Sequence, residues 1–168
     1  KKRFRPFVKR AALFYAEQLM TPKMLENIYV RIKFDSKIDA LGYAEVIDYN
    51  ESNKPREFQI ELNPTAGSHD ILETLAHEMV HVKQYAYSEM NEYGNHWRAQ
   101  RINTENLDHY DEPWEIEAYG VSTGLFSKFV IKEKLWEVFS DIRNPDAPLV
   151  PEPIAWRNIP QISIDNQP

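Results

Sequence analysis

The segment from about His69 to Tyr87 constrains this chain more than any other. Ile71, Leu72, Leu75, Ala76, Met79 and Val82 recur at helical spacing and predict one long amphipathic helix. Asp70, with Glu73 three residues on, reads as a capping box at its start. Inside that helix lies His77-Glu78-Met79-Val80-His81, the HExxH pattern. Positions i and i+4 share a face one turn apart, so both imidazoles can point at one metal ion. Glu78 sits beside them, close enough to reach a metal-bound water without having to ligate. Two neutral nitrogen ligands, a base and an open coordination position are what a zinc-dependent hydrolase needs. The chain's own His and Glu frequencies give about one or two chance matches per hundred such chains, and this match falls on a helix rather than in a loop.

A catalytic zinc usually takes a third protein ligand. Cysteine is absent, so it must come from His, Asp or Glu, and disulfides and thiol chemistry are excluded. Glu115 is one candidate. It lies in Pro113-Trp-Glu-Ile-Glu-Ala-Tyr119, 34 residues after His81. Pro113 reads as the first residue of a second helix, running to about Lys128. A carboxylate in its first turn gains from the helix N-terminus. The alternative is His96, fifteen residues after His81. Glu117 faces another way on the helix, as a solvated or salt-bridged residue. His69 and His109 read as surface residues, His109 with the option of lining the cleft.

The rest of the chain predicts an α+β architecture. Pro6 to about Met20 is a helix, and Thr21-Pro22 ends it or starts a short turn. Ile28 to Phe34 alternates as a half-buried strand. Tyr43–Tyr49 and Glu57–Leu62 read as a hairpin across the turn-rich 50–56 segment. Residues 88–112 are polar and aperiodic, a long ordered loop of the length that more often serves function than idles. Ile131–Phe139 reads as a further short helix. Six of the eleven prolines fall in the last 24 residues, so 143–168 is expected to be an extended tail, packed on the body or reaching a neighbour. Residues 1–142 are expected to form the domain proper, in line with a 168-residue chain that is 42% apolar.

Net charge is −6, which argues against a nucleic-acid or anionic-membrane binder as a whole. The first ten residues nevertheless hold six of the 20 Lys and Arg, a basic arm. No 18-residue apolar run offers a membrane span, and no signal-peptide core follows the basic start. The first residue, Lys1, implies residues upstream that were cut or left out.

HExxH followed by Glu115-Ile-Glu-Ala118 resembles the gluzincin clan of zinc metallopeptidases. In that pattern the Glu three residues before the Ala is the third ligand, which selects Glu115 over Glu117. Many clan members carry Asp or Asn after the Ala; this chain has Tyr119. The string from His77 to Tyr85, then Trp97, then Tyr110 to Tyr119 is similar to small HExxH proteins of bacteriophages and some bacteria, often labelled SprT-like. The likeness spans roughly residues 58–126. It implies a zincin-like domain with a short, mostly antiparallel sheet, the HExxH helix and a second ligand-bearing helix. It also implies Zn2+ at His77, His81 and Glu115, with Glu115 preferred to His96, and a cytoplasmic setting, that of the host cell or a virion if phage-encoded. SprT-like proteases take a His after the HExxH helix as third ligand, which is the argument for His96.

The chemistry expected is peptide-bond hydrolysis, with Glu78 as the base. Tyr110, Tyr119, His109 and Arg98 are candidate donors to the oxyanion. The substrate peptide is expected along the Phe58–Leu62 strand by β-augmentation. The rival reading is a non-enzymatic structural or adaptor protein on the same scaffold, docking into a larger assembly through its basic arm and Pro-rich tail. A DNA-associated SprT-like protease is a third reading, carried only by the first ten residues.

Overall fold

The computed structural model describes residues 5–135 and 161–165. The chain opens with helix α1, Arg5–Leu19, and a one-turn helix α2, Pro22–Leu25, capped by the Thr21 hydroxyl, which accepts from the Met24 N–H at 3.3 Å. Three strands follow: β1 Tyr29–Phe34, β2 Gly42–Tyr49 and β3 Pro55–Leu62. Helix α3, Ser68–Ala86, carries the HExxH sequence. A two-stranded hairpin, β4 His96–Trp97 with β5 Gln100–Arg101, and a 3-10 turn at His109–Asp111 lead to helix α4, Pro113–Glu133. Strand β6, Gln161–Ile164, completes the described elements.

The sheet is mixed, in the order β2-β3-β1-β6. The hairpin partners β2 and β3 are antiparallel, while β1 pairs parallel with both β3 and β6. This corrects the mostly antiparallel sheet expected from sequence. A hairpin is legible locally, but parallel partners meet only through long-range packing. β3 is therefore an interior strand, and Phe58–Leu62 is buried along its whole length. Among the described residues, the strand with an unpaired edge beside the HExxH helix is β2. Strand Phe58–Leu62 thus has no edge to offer a peptide, and that expectation is withdrawn.

Period-2 alternation sorts the two sheet faces. Val30, Ile32, Phe58, Ile60, Leu62 and Ile162 point into the core beneath the helices. The opposite face carries Arg31, Lys33, Gln59 and Glu61, tied by Lys33–Glu61 at 3.4 Å and Gln59–Glu45 at 2.7 Å. Ala11, Ala12 and Ala16 let α1 lie close to its neighbours, and Phe14, Tyr15 and Phe129 form an aromatic cluster with centroids 5.6–6.0 Å apart. The buried Tyr15 hydroxyl donates to the Leu72 carbonyl at 3.3 Å, joining α1 to α3. Arg10 pairs with Glu133, joining α1 to α4.

Several boundaries differ from the sequence reading. The basic start is helical from Arg5, with Phe7 and Val8 buried, so this part of the arm belongs to the body. Residues 1–4 lie outside the described residues. Helix α3 is capped by Gly67, without a side-chain bond from Asp70, so the capping box does not form. Helix α4 runs on to Glu133 and absorbs the start of the short helix expected at Ile131–Phe139, whose end lies outside the described residues. Within the Pro-rich tail, Gln161–Ile164 is an ordered strand on β1, and the stretch from 143 to 160 lies outside the described residues. Among the described residues, no helix is long and apolar enough to cross a membrane.

Candidate metal centre

Helix α3 turns His77 and His81 toward helix α4, where Glu115 stands in the first turn. Nε2 of His77 and Nε2 of His81 are 3.0 Å apart. The Glu115 carboxylate faces both, with Oε2 3.1 Å from His77 and Oε1 3.2 Å from His81. Three donors from two helices thus converge on one point and can hold a metal ion. His81 and Glu115 are buried, His77 half-buried. Burial works against the Glu115 carboxylate, but hydrogen bonds from both imidazoles hold its pKa down at about 2. Burial works against a charged His81 as well; its bond to Glu115 and the charge of Glu78 outweigh that and raise its pKa.

Glu78 is 4% exposed, and its Oε2 has no hydrogen-bond partner. An unpaired carboxylate oxygen in a buried setting costs stability and calls for an explanation. Burial pushes this carboxyl above the usual range; the two imidazoles and the Ala44 backbone N–H only partly offset that. Ala44 belongs to β2, so the edge strand runs directly past Glu78.

A second layer orients His81. Its Nδ1 lies 2.8 Å from Oε1 of Gln84, which is fully buried. The Gln84 amide nitrogen donates to the Trp114 carbonyl at 3.0 Å and to Glu117 Oε2 at 2.9 Å. Both of those partners are acceptors, so the Gln84 oxygen must face His81. In the neutral imidazole that a metal requires, His81 Nδ1 then carries the proton and Nε2 presents its lone pair to the centre. Glu117 is held in turn by Lys83 at 3.3 Å and Arg98 at 2.6 Å. Arg98 and Ala99 occupy the β4–β5 turn with φ of 47° and 67°, the left-handed pair that a two-residue hairpin requires.

The centre lies in an open cleft of about 820 Å³ between β2, α3, the 88–112 loop and α4. Tyr119 lines it, its ring 4.5 Å from that of His77. Tyr110 does not line it; its ring lies against that of Tyr119, centroids 5.4 Å apart and tilted by 43°. His109 lines the cleft with Nε2 3.6 Å from Glu115 Oε2. Arg98 is taken up by Glu117 and is not in the cleft wall. His96 is exposed on β4 with Nδ1 3.0 Å from Asn95 Oδ1; the structure brings Glu115, not His96, to the two histidines. Among the described residues, no part of the tail enters the cleft, since β6 pairs at the opposite edge of the sheet from β2.

Sequence reasoning missed Gln84 and the edge role of β2. Gln84 had a signal: it lies three residues after His81, hence on the same helix face. No protein-family model, curated protein or solved structure matches this chain.

Proposed function

We propose that this chain is a zinc-dependent metallopeptidase that hydrolyses peptide bonds in a peptide or protein substrate, with zinc held by His77, His81 and Glu115. The observation that carries the reading is the convergence of those three donors beside a buried carboxylate, Glu78, with an unpaired oxygen, in an open cleft. Donor separations of 3.0, 3.1 and 3.2 Å fit the ion. A tetrahedral zinc with bonds of roughly 2.0–2.1 Å needs its ligand atoms about 3.3 Å apart, so little movement is required. His₂Glu with an open position is also the donor set of a zinc hydrolase.

Bound zinc supplies a Lewis acid that polarises the scissile carbonyl and lowers the pKa of water. The protein's own groups do the rest. The free Oε2 of Glu78 takes the proton from the attacking water and returns it to the leaving amine. Its raised pKa suits a base that must give the proton back. Tyr119, in the cleft wall against His77, donates to the oxyanion, and Tyr110 steadies its ring. The edge of β2 from Gly42 to Ala44 accepts the substrate backbone as an added strand through the groups that the Ala44 N–H bond to Glu78 leaves open. Gln84 and Glu117 fix the His81 tautomer.

The test is metal content by mass spectrometry on zinc-reconstituted protein, paired with a peptide-cleavage screen. About one zinc per chain is expected, lost in Glu115→Gln and kept in His96→Ala and Glu78→Gln. Glu78→Gln is expected to abolish cleavage. No metal after reconstitution, or cleavage surviving in Glu78→Gln, overturns the reading.

A further inference from the structure

A second cavity of about 290 Å³ opens beside the main cleft. The two share Tyr85, Met90, Asn91, Glu92 and Tyr93 in their walls, so they adjoin. Tyr49, from the far end of edge strand β2, closes the other side. Its volume lies at the lower end of the roughly 300–1,000 Å³ range of small-ligand pockets and leaves room for one long side chain.

Three phenol rings, Tyr49, Tyr85 and Tyr93, and one carboxylate, Glu92, dominate its chemistry. The Tyr49 hydroxyl donates to Glu92 Oε2, which fixes the carboxylate in place. That bond and partial burial push the Tyr49 pKa up to about 12. Burial, together with the charge of Glu92, takes Tyr85 to about 12 as well. Both phenols therefore stay neutral, and Glu92 is the one anion in the wall among the described residues. Tyr93 is 84% exposed, a large aromatic ring left in water at the rim. Among the described residues no Lys or Arg lines either cavity; His96 lines the second, and Asp70, Glu73 and Glu112 add negative charge to the main cleft.

Aromatic faces around a fixed carboxylate attract a cation, which gains from the ring quadrupoles and from the ion pair together. An anionic side chain would meet the Glu92 charge, with only the Ser88 hydroxyl, the Asn91 amide and the His96 imidazole to offset it. Its place fits the same logic: the pocket sits alongside β2, where a strand-like peptide directs alternate side chains to one side. We propose that the pocket walled by Tyr49, Tyr85, Tyr93 and Glu92 is a specificity subsite that takes an Arg or Lys side chain of the substrate peptide, at a fixed distance from the scissile bond. The inference rests on the metallopeptidase reading for its substrate, but the pocket's affinity for a cation is measurable without it.

The first arm is direct binding. Nα-acetyl-L-arginine amide is titrated into the zinc-loaded protein and followed through the tyrosine ring resonances, with Nα-acetyl-L-citrulline amide as the neutral twin of the same shape. Shifts at Tyr49, Tyr85 and Tyr93 with arginine, and binding about tenfold weaker for citrulline, are expected. Glu92→Gln keeps an acceptor for the Tyr49 hydroxyl and should erase the difference between the two probes. Tyr93→Ala, at an exposed rim position, should weaken arginine binding several-fold without moving the melting temperature. Equal binding of both probes, or a preference that survives in Glu92→Gln, overturns the subsite.

The second arm is cleavage-site mapping on a mixed peptide library. Arg or Lys at one fixed position is expected, with that preference lost in Glu92→Gln. Cleavage with no cationic position overturns the subsite and leaves the peptidase reading standing. Arginine binding without any cleavage overturns the peptidase reading and leaves the cation pocket standing.

Discussion

Gln84→Met separates a tuned metal centre from a merely packed one. The substitution conserves length and apolar volume but removes three polar contacts: His81 Nδ1 at 2.8 Å, the Trp114 carbonyl at 3.0 Å and Glu117 at 2.9 Å. Glu117 keeps Lys83 and Arg98, so its loss is small. The Trp114 carbonyl keeps the helical N–H of Ala118, so His81 Nδ1 is the buried group left without a partner. One unsatisfied buried group costs about 1–3 kcal/mol, and the metal-free protein should lose about that much. A domain of this size has roughly 5–15 kcal/mol in hand and should still fold in its upper range.

The metal should report something else. Without the Gln84 oxygen, nothing holds the proton on Nδ1, and the tautomer that closes Nε2 to the metal becomes accessible. Removing such an outer partner typically weakens metal binding by about 10–100-fold, or roughly 1.4–2.7 kcal/mol. The assay is competition for zinc against a chromophoric chelator, run beside thermal melts of the metal-free protein. Gln84→Glu is the companion variant. It still accepts from His81, yet sets a carboxylate against the Trp114 carbonyl and Glu117, both acceptors, so it should melt lower than Gln84→Met. If Gln84→Met loses stability while its zinc affinity stays within twofold of the parent, the residue only packs, and the tautomer argument fails.

Three further outcomes follow from the same geometry. Tyr119→Phe should lower kcat by about 10²-fold with zinc content and KM nearly unchanged, the signature of a lost oxyanion donor; an unchanged kcat assigns that role elsewhere. Gly42→Ala places a methyl group 2.7 Å from Thr74 Cγ2 and 2.9 Å from the Glu61 carbonyl, so β2 must move off α3. A stability loss of about 1–3 kcal/mol is expected in denaturant melts, together with weaker peptide binding at the displaced edge. The melting temperature of the metal-free protein should peak in mildly acid solution. Glu115, held at about 2, contributes stability above its ordinary carboxylate range that is lost as pH falls toward that value. His81, raised above 6.5, contributes stability below that value that is lost as pH rises through its folded pKa. Zinc affinity should move the opposite way and climb through the same upper range, because the metal needs the neutral imidazole. A metal-free melting temperature that rises steadily from pH 5 to 8 would contradict this coupling.

The parts legible in the sequence are those whose logic is local. His77, Glu78 and His81 were readable because helical spacing alone decides that the two imidazoles share a face. Glu115 was readable as a first-turn carboxylate after Pro113, and the structure sets it 3.1 Å and 3.2 Å from the two histidines. The hairpin of β2 and β3 was readable from its turn. Its orientation in the sheet was not, because that depends on which strand β1 joins, a pairing across more than 20 residues of chain. The apolar alternation of Phe58, Ile60 and Leu62 drew attention to β3, yet an alternating core face is common to interior and edge strands. What marked β3 as interior was subtler: its other face holds Gln59 and Glu61, both buried, each satisfied only by partners on neighbouring strands or its own. The edge strand β2 is the more exposed of the pair, with half-buried and exposed positions throughout, although β3 carries more polar residues, so the sequence alone pointed the wrong way. Its charges, Glu45 and Asp48, are of the kind that keep an edge in water without recruiting other chains. Gly42–Ala44 lies on this edge beside Glu78, and Tyr49 at the strand's far end bonds to Glu92. One strand thereby reaches both the candidate metal centre and the side pocket, so a shift in its register would be felt at both.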